Sequence, residues 1–251
     1  MGTLDGKAAL VTGAGQGIGR GIALALAGEG AAVALMGRTI SALDQVAAKI
    51  AERGGKAVPV VGDVTSDTDC DAAVAETLAQ LGSLDLLVNN AQAFAFGTVA
   101  DIDLADVEAG WQSGPMGTLR LMRAALPHLR HGGAVVNVSS GATSDGDGAG
   151  TGGYAAAKAA IEALSRAAAV EWAGDDVRVN VVIPFSKTPS VEAVLSAYEG
   201  VEDQVLSQVP MGRWGDAERE IGRAVAFLCG PDASFVTGTT LAVDGGSTYL
   251  R

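Results

Sequence analysis

The chain has 251 residues, of which 48% are hydrophobic and 18% are charged. This composition excludes a disordered or fibrous protein and suits one large α/β domain with a sizeable core. The formal net charge of −12, without any basic stripe, argues against a nucleic-acid partner, because polyanion binding depends on clustered Lys and Arg.

The cysteines and the first residues exclude further classes of protein. Cys70 and Cys229 lack the spacing of a disulfide framework or a zinc site, so we predict two reduced packing residues and no metal. The sequence MGTLDGKAALVTG leads directly into a strand pattern, without the basic and apolar regions of a signal peptide, and no apolar run is long enough to span a membrane. We therefore expect a cytoplasmic protein with no membrane partner.

Short aliphatic runs alternate with longer segments in which apolar residues recur at helical spacing. The predicted strands are Lys7–Thr12, Ala32–Met36, Ala57–Gly62, Leu84–Asn89, Ala134–Ser139, Val177–Ile183 and Thr240–Val243. The predicted helices are Ile18–Glu29, Ser41–Arg53, Asp67–Leu81, Asp103–Arg130, Tyr154–Glu171 and Ala217–Cys229.

Strands that are apolar throughout and alternate with helices predict an α/β fold. We expect a single-domain, doubly wound (Rossmann-type) parallel sheet of seven strands with helices on both faces. No linker, charge run or fixed-period repeat divides residues 1–251. In such sheets ligands bind beyond the carboxyl ends of the strands, so the residues that follow strands are the candidates for function.

A glycine-rich turn, TGAGQGIG, joins the first strand to the first helix. Gly13, Gly17 and Gly19 let the backbone approach a pyrophosphate, and the N–H groups of the helix point at it. Glycines also serve tight turns for conformational reasons alone. The position of this cluster between a strand and a helix favours phosphate binding.

The end of the second strand indicates the type of dinucleotide. Where an NAD-preferring protein places an acid for the ribose hydroxyls, this chain has Arg38, whose guanidinium suits a 2′-phosphate. We therefore predict NADP(H), with NAD(H) as the less favoured alternative. A solvated surface arginine is the other explanation, and Gln16 adds no second positive charge.

Tyr154 and Lys158 lie four residues apart in GGYAAAKAA and so share one face of a helix. A neighbouring ammonium favours the ionised form of a phenol, which is otherwise a poor base at neutral pH. An incidental helix pair would explain Tyr154 alone, but not why Ser140 lies at the same edge of the predicted sheet.

These motifs together resemble the short-chain dehydrogenase/reductase family, near its 3-oxoacyl-carrier-protein reductase branch, over essentially the whole chain. TGAGQGIG is similar to the family's TGxxxGxG, and Ser140 with Tyr154 and Lys158 to its YxxxK set. Three further matches are Gly62-Asp63-Val64 to the adenine-contacting segment, Asn89-Asn90-Ala91 to NNAG, and Val243-Asp244-Gly245-Gly246 to the C-terminal signature.

The resemblance implies a role for each matching residue. Ser140 would orient the carbonyl, Tyr154 would be the general acid or base, and Lys158 would bind the nicotinamide ribose and lower the pKa of Tyr154. It implies a small carbonyl or alcohol substrate and a homo-oligomer, a tetramer or a dimer. The implied cofactor-binding residues are Gly13, Gln16, Gly17, Ile18, Gly19, Arg38, Asp63, Val64, Asn90, Ala91, Tyr154, Lys158, Pro184 and Thr188.

Three positions depart from the family pattern, all on the nicotinamide and substrate side. Gln92 replaces the glycine of NNAG, Gly114 a catalytic Asn, and Phe185 the glycine of a Pro-Gly turn. We therefore keep open two alternatives to a working oxidoreductase for a ketone or secondary alcohol. One is an NADP-binding regulatory protein with impaired catalysis, and the other is a structural subunit of a related partner.

In the family, the Asn at this position maintains a break in its helix, so that a backbone carbonyl can hold water near the lysine. Gly114-Pro115 would break the helix in a different way. Pro115 has no N–H, so the carbonyl of Trp111 loses its helical partner. We predict a distortion near Gly114 that keeps a proton relay through Lys158. The alternative is a bent packing helix without a relay.

The segment at about 186–210 resembles the family's mobile substrate loop. Its apolar residues would equally suit an ordinary packed pair of helices. They are Val191, Val194, Leu195, Tyr198, Val205 and Leu206.

Overall fold

The structure is a computed structural model that describes residues 2–144, 150–196 and 200–248. Over these ranges, seven parallel strands form one sheet in the order β3-β2-β1-β4-β5-β6-β7. The predicted fold class is confirmed. The strands are β1 (Ala8–Thr12), β2 (Ala32–Gly37), β3 (Ala57–Val61), β4 (Leu86–Asn89), β5 (Ala134–Val138), β6 (Arg178–Pro184) and β7 (Thr240–Val243).

Helices connect the strands and cover both faces of the sheet. Each predicted helix is present, with ends within two residues of the prediction, apart from the two described in the next paragraph. The helices are α1 (Gly17–Gly28), α2 (Ile40–Glu52), α3 (Asp67–Leu81), α4 (Leu104–Trp111), α5 (Gly117–Leu129), α6 (Gly152–Trp172), α7 (Pro189–Ser196), α8 (Val201–Ser207) and α9 (Arg223–Cys229).

Two predicted helices contain π-helical segments. The prediction of one helix over Asp103–Arg130 is wrong, because a π-helical turn at Gln112–Met116 separates α4 from α5. Pro115 within that turn lacks the N–H that an α-helix requires, which confirms the predicted distortion near Gly114. The helix predicted over Ala217–Cys229 likewise begins with a π-helical segment, Ala217–Gly222.

The core lies on both sides of the sheet because successive strand residues face opposite ways. Val11 of β1 belongs to an apolar cluster with residues of α1, α2 and α9, and Leu10 to a second with residues of α3, α5 and α6. Cys70 and Cys229 are free and buried, as predicted, and burial raises the pKa of their thiols to about 11 and about 12.

The segment predicted as a substrate loop contains α7 and α8, and Tyr198 lies outside the described residues. Glu202 of α8 accepts hydrogen bonds from Lys187 at 2.8 Å and from the indole of Trp214 at 2.7 Å. These contacts fasten α8 to the segments that follow β6.

The strand order reverses between β1 and β4, so their carboxyl ends open a crevice at one edge of the sheet. Within the described ranges we find no helix that combines the length and the apolar character needed to cross a membrane. Those ranges also contain no cluster of His, Cys, Asp or Glu suited to hold a metal ion.

Candidate active site

The glycine-rich turn after β1 packs directly against the end of β4. A Cβ on Gly19 would lie 2.3 Å from the carbonyl oxygen of Gly13, and a Cβ on Gly13 would lie 2.7 Å from Nδ2 of Asn90. Thr12 joins the two segments, because its Oγ1 accepts hydrogen bonds from the backbone N–H groups of Asn90 and Ala91 at 2.9 and 3.0 Å. The turn is therefore held tightly, with no room for side chains at these glycines.

The same turn faces the start of α7. Gly17 has φ +54°, a left-handed conformation, and a Cβ there would lie 3.5 Å from Thr188. Gln16 is exposed in front of α1, Ile18 packs on the core, and Pro184 ends β6. The structure thus brings Thr188, predicted from a distant part of the chain, to the glycine turn.

Arg38 and Asp63 lie together at the other end of the crevice. Arg38 Nη1 is 3.9 Å from Asp63 Oδ2, and the arginine side chain is 81% exposed. The backbone N–H of Thr65 donates to Asp63 at 2.9 Å, and this bond lowers the pKa of the Asp63 carboxyl. The Thr65 hydroxyl and Arg38 also lower this pKa, whereas partial burial raises it. Val64 packs on Gly117 at the start of α5.

Ser140, Tyr154 and Lys158 converge beyond the carboxyl end of β5. The Ser140 hydroxyl neighbours the Tyr154 hydroxyl and acts to lower its pKa, and Lys158 Nζ lies 5.5 Å from the centre of the Tyr154 ring. Lys158 is only 3% exposed, and its Nζ donates to the carbonyl of Val138 at 2.7 Å. The three residues proposed for proton transfer are therefore close together.

The titration of the pair differs from the sequence prediction. Burial raises the pKa of Tyr154, and the Ser140 hydrogen bond opposes that rise. Desolvation of the phenol sets the direction of the shift, and the predicted lowering of the Tyr154 pKa by Lys158 is wrong. Burial also lowers the pKa of Lys158 to about 7, although the nearby Glu162 carboxylate acts in the opposite direction.

Glu162 is a residue of the site that the sequence reasoning missed. Its carboxylate accepts hydrogen bonds from Ser139 at 2.6 Å and Thr143 at 3.0 Å, and Thr143 also donates to the carbonyl of Ser140. Glu162 therefore clamps the Ser140 segment onto α6. Its spacing of four residues from Lys158, one helical turn further along the same face, was the available signal.

An aromatic wall, formed by Phe94 and Phe96, lies beside Tyr154. The Phe94 ring is 4.6 Å from the Tyr154 ring, and the two phenylalanines are 53% and 65% exposed. Phe185, one of the three departures, stacks on Trp214 with ring centres 4.5 Å apart. The phenylalanine at this position therefore has a packing partner that a glycine would not use.

Comparisons with known proteins agree with this arrangement. A family model described as Enoyl-(Acyl carrier protein) reductase matches residues 13–248. The 12alpha-hydroxysteroid dehydrogenase of Clostridium sp. is 40% identical over 255 residues, which cover 98% of each chain.

Solved structures are similar along the whole chain. A 7α-hydroxysteroid dehydrogenase complexed with NADH and 7-oxo glycochenodeoxycholic acid has a TM-score of 0.92 at 31% identity, covering 98% of this chain and 95% of that one. A blue fluorescent protein from a metagenomic library, in complex with NADPH, has a TM-score of 0.90 at 30% identity, covering 98% and 100%. The chain therefore belongs to the short-chain dehydrogenase/reductase family of oxidoreductases.

Proposed function

We propose that this protein is an NADP(H)-dependent oxidoreductase that interconverts a ketone and a secondary alcohol. The convergence of Tyr154, Ser140 and the buried Lys158 beyond the carboxyl end of β5 carries the proposal. An acid, a second hydroxyl and a cation at the carboxyl edge of a parallel sheet form a proton-transfer site. The family membership and the two cofactor-bound relatives support a nicotinamide cofactor.

The glycine turn fits a dinucleotide, because it ends at the N-terminus of α1, where Gln16 makes no side-chain capping bond and the first N–H groups of the helix suit a pyrophosphate. The bound nicotinamide supplies hydride transfer to or from the reacting carbon. In reduction, Tyr154 donates its proton to the carbonyl oxygen, which Ser140 also hydrogen-bonds. In oxidation, the Tyr154 phenolate accepts the alcohol proton. The raised pKa keeps Tyr154 protonated at neutral pH, which suits the acid role.

The cofactor preference rests on Arg38. We expect Arg38→Asp to lower the ratio of kcat/KM with NADPH to kcat/KM with NADH by at least about tenfold, because a charge-assisted hydrogen bond to the 2′-phosphate is replaced by repulsion. Steady-state kinetics with both cofactors measures the ratio. Arg123→Asp, the same charge change on an exposed site of α5, is the control. An unchanged ratio in Arg38→Asp contradicts the preference for NADPH.

The aromatic wall favours an apolar ketone over a polyhydroxylated one. Phe94 contacts Tyr154 and, with Phe96, offers exposed apolar surface where a substrate would approach the acid. The names of the two hydroxysteroid dehydrogenase relatives agree with this choice. Burial of a few methylene groups is sufficient to favour an apolar substrate at least about tenfold in kcat/KM.

A panel of carbonyl compounds tests the function directly. NADPH oxidation is followed with steroid ketones, aryl ketones, acyl thioesters and sugars, and NADPH binding is measured by cofactor fluorescence. We expect binding with turnover, fastest with the steroid and aryl ketones. Binding without turnover on any compound favours the regulatory alternative, and no binding contradicts the proposed function.

A further inference from the structure

Two of the three departures from the family pattern, Gln92 and Gly114, are in contact. A Cβ on Gly114 would lie 2.6 Å from Cδ of Gln92 and 2.8 Å from both Nε2 and Oε1. The carboxamide of Gln92 therefore lies in the space that any larger residue at 114 would enter. Glycine at 114 thus leaves the space that the Gln92 carboxamide fills.

The Gln92 carboxamide is buried and unpaired. Nε2 and Oε1 are both inaccessible to solvent and have no hydrogen-bond partner among the described residues. The desolvation of an unsatisfied buried amide costs free energy that no hydrogen bond offsets. Folding alone does not favour this side chain, since an apolar side chain of the same shape avoids the penalty.

The backbone around Gln92 is held on both sides. The N–H of Ala91 donates to Thr12 Oγ1 at 3.0 Å, and the N–H of Ala93 donates to Ser113 Oγ at 2.9 Å. Gln92 itself remains partly exposed although its amide is not. The backbone beside Gln92 is therefore held in place at the end of β4, while its side chain has no hydrogen bond that fixes it.

The surroundings of this amide connect the glycine turn with α6. Gln92 directly follows Asn90 and Ala91, which contact the glycine turn, and Gly114 belongs to the π-helical turn that packs against α6. Tyr154 and Lys158 are on that same helix. An amide that is unpaired in the protein and lies between the cofactor turn and the catalytic helix has its hydrogen-bonding capacity available for a ligand.

We propose that Gln92 is a ligand-binding residue of the active site. When the ligand binds, the Gln92 carboxamide leaves the space beside Gly114 and hydrogen-bonds an uncharged polar group of the cofactor or substrate. That group is a hydroxyl, an amide or a carbonyl. The inference rests on the proposed function. In the protein alone, the buried Gln92 amide lowers stability, and hydrogen bonds in the complex offset this penalty. Gly114 provides the space in which the amide lies when no ligand is bound.

Gln92→Met tests this because it keeps the shape and removes the amide. We expect the Tm of the protein alone to rise by at least about 2 °C. We also expect a loss of about three- to tenfold in one of two quantities. Weaker NADPH affinity by fluorescence assigns the partner group to the cofactor, and a higher KM for the best ketone of the panel assigns it to the substrate.

Gln45→Met is the matched control, since Gln45 is an exposed residue of α2, and we expect it to change none of these quantities. A fall in the Tm of Gln92→Met overturns the inference, and so do unchanged NADPH affinity and unchanged KM. A residue with only a structural role would lose stability on substitution, whereas the proposal requires a gain in stability together with a loss in binding.

A second set of variants tests the contact with Gly114. Gly114→Ala is expected to change the Tm by a different amount in the wild-type background than when combined with Gln92→Ala, because the added methyl displaces the amide only where the amide is present. Equal effects in both backgrounds contradict the contact. If the wild-type protein reduces no ketone, the proposed function fails, but the Tm and NADPH-affinity measurements still decide the role of Gln92.

Discussion

Tyr154→Phe is expected to lower kcat by about 100- to 10,000-fold, because it removes the hydroxyl that transfers the proton. The dissociation constant of NADPH is expected to change by less than about threefold, since the hydroxyl is needed for proton transfer and not for holding the dinucleotide. Steady-state kinetics and cofactor fluorescence measure the two quantities on the same preparation. The phenylalanine ring retains the packing against Phe94, whose ring centre is 4.6 Å away.

NADPH binding is the control for an intact site in this variant. Ser140→Ala is also expected to lower kcat, because Ser140 is proposed to hydrogen-bond the carbonyl oxygen that Tyr154 protonates. Retention of most of the activity by Tyr154→Phe contradicts the assignment of Tyr154 as the acid. Loss of NADPH binding equal to the loss of kcat indicates that the hydroxyl holds the cofactor instead.

Lys158→Met is expected to increase the free energy of unfolding at neutral pH while it abolishes most of the activity. The lysine is 3% exposed, and burial lowers its pKa from 10.5 to about 7. Below pH 7 the group is charged in both states, and the folded protein bears the full penalty of a buried ammonium. A tenfold change in a proton-binding constant corresponds to about 1.4 kcal/mol, so the lowered pKa of Lys158 implies a penalty on the order of several kcal/mol.

The pH dependence has a definite sign. Between about pH 7 and 10.5 the unfolded chain binds more protons at Lys158 than the folded one, so the stability of the wild type rises with pH. The gain from Lys158→Met is therefore expected to be largest at pH 7 or below and to disappear toward pH 10.5. Urea unfolding of both proteins at several pH values measures the difference.

Lys56→Met is a matched control, because Lys56 also donates to a backbone carbonyl, that of Gln80 at 3.1 Å, but at the surface. We expect a small change in stability. A gain for Lys158→Met that is independent of pH contradicts the buried, titrating ammonium. Full activity in that variant contradicts its role in the site.

The sequence determined the elements and the cofactor turn through local rules. Apolar runs flanked by glycines define strands such as Ala8–Thr12, and Gly13 and Gly17 of the first turn have a positive φ that the turn itself requires. The spacing of Tyr154 and Lys158 places both on one face of α6 because helical geometry is periodic. Pro115 likewise predicts a break in the helix that contains it, since proline lacks a backbone N–H.

The tertiary structure alone decided how distant segments meet and what their burial does to charge. The clamp of Glu162 on Ser139, the Phe94 ring against Tyr154 and the Gln92 amide beside Gly114 join residues from different elements. The direction of the shift in the Tyr154 pKa was also decided by the tertiary structure. Desolvation depends on every neighbour that excludes water, and the identity of those neighbours is set by packing between elements and not by spacing within one.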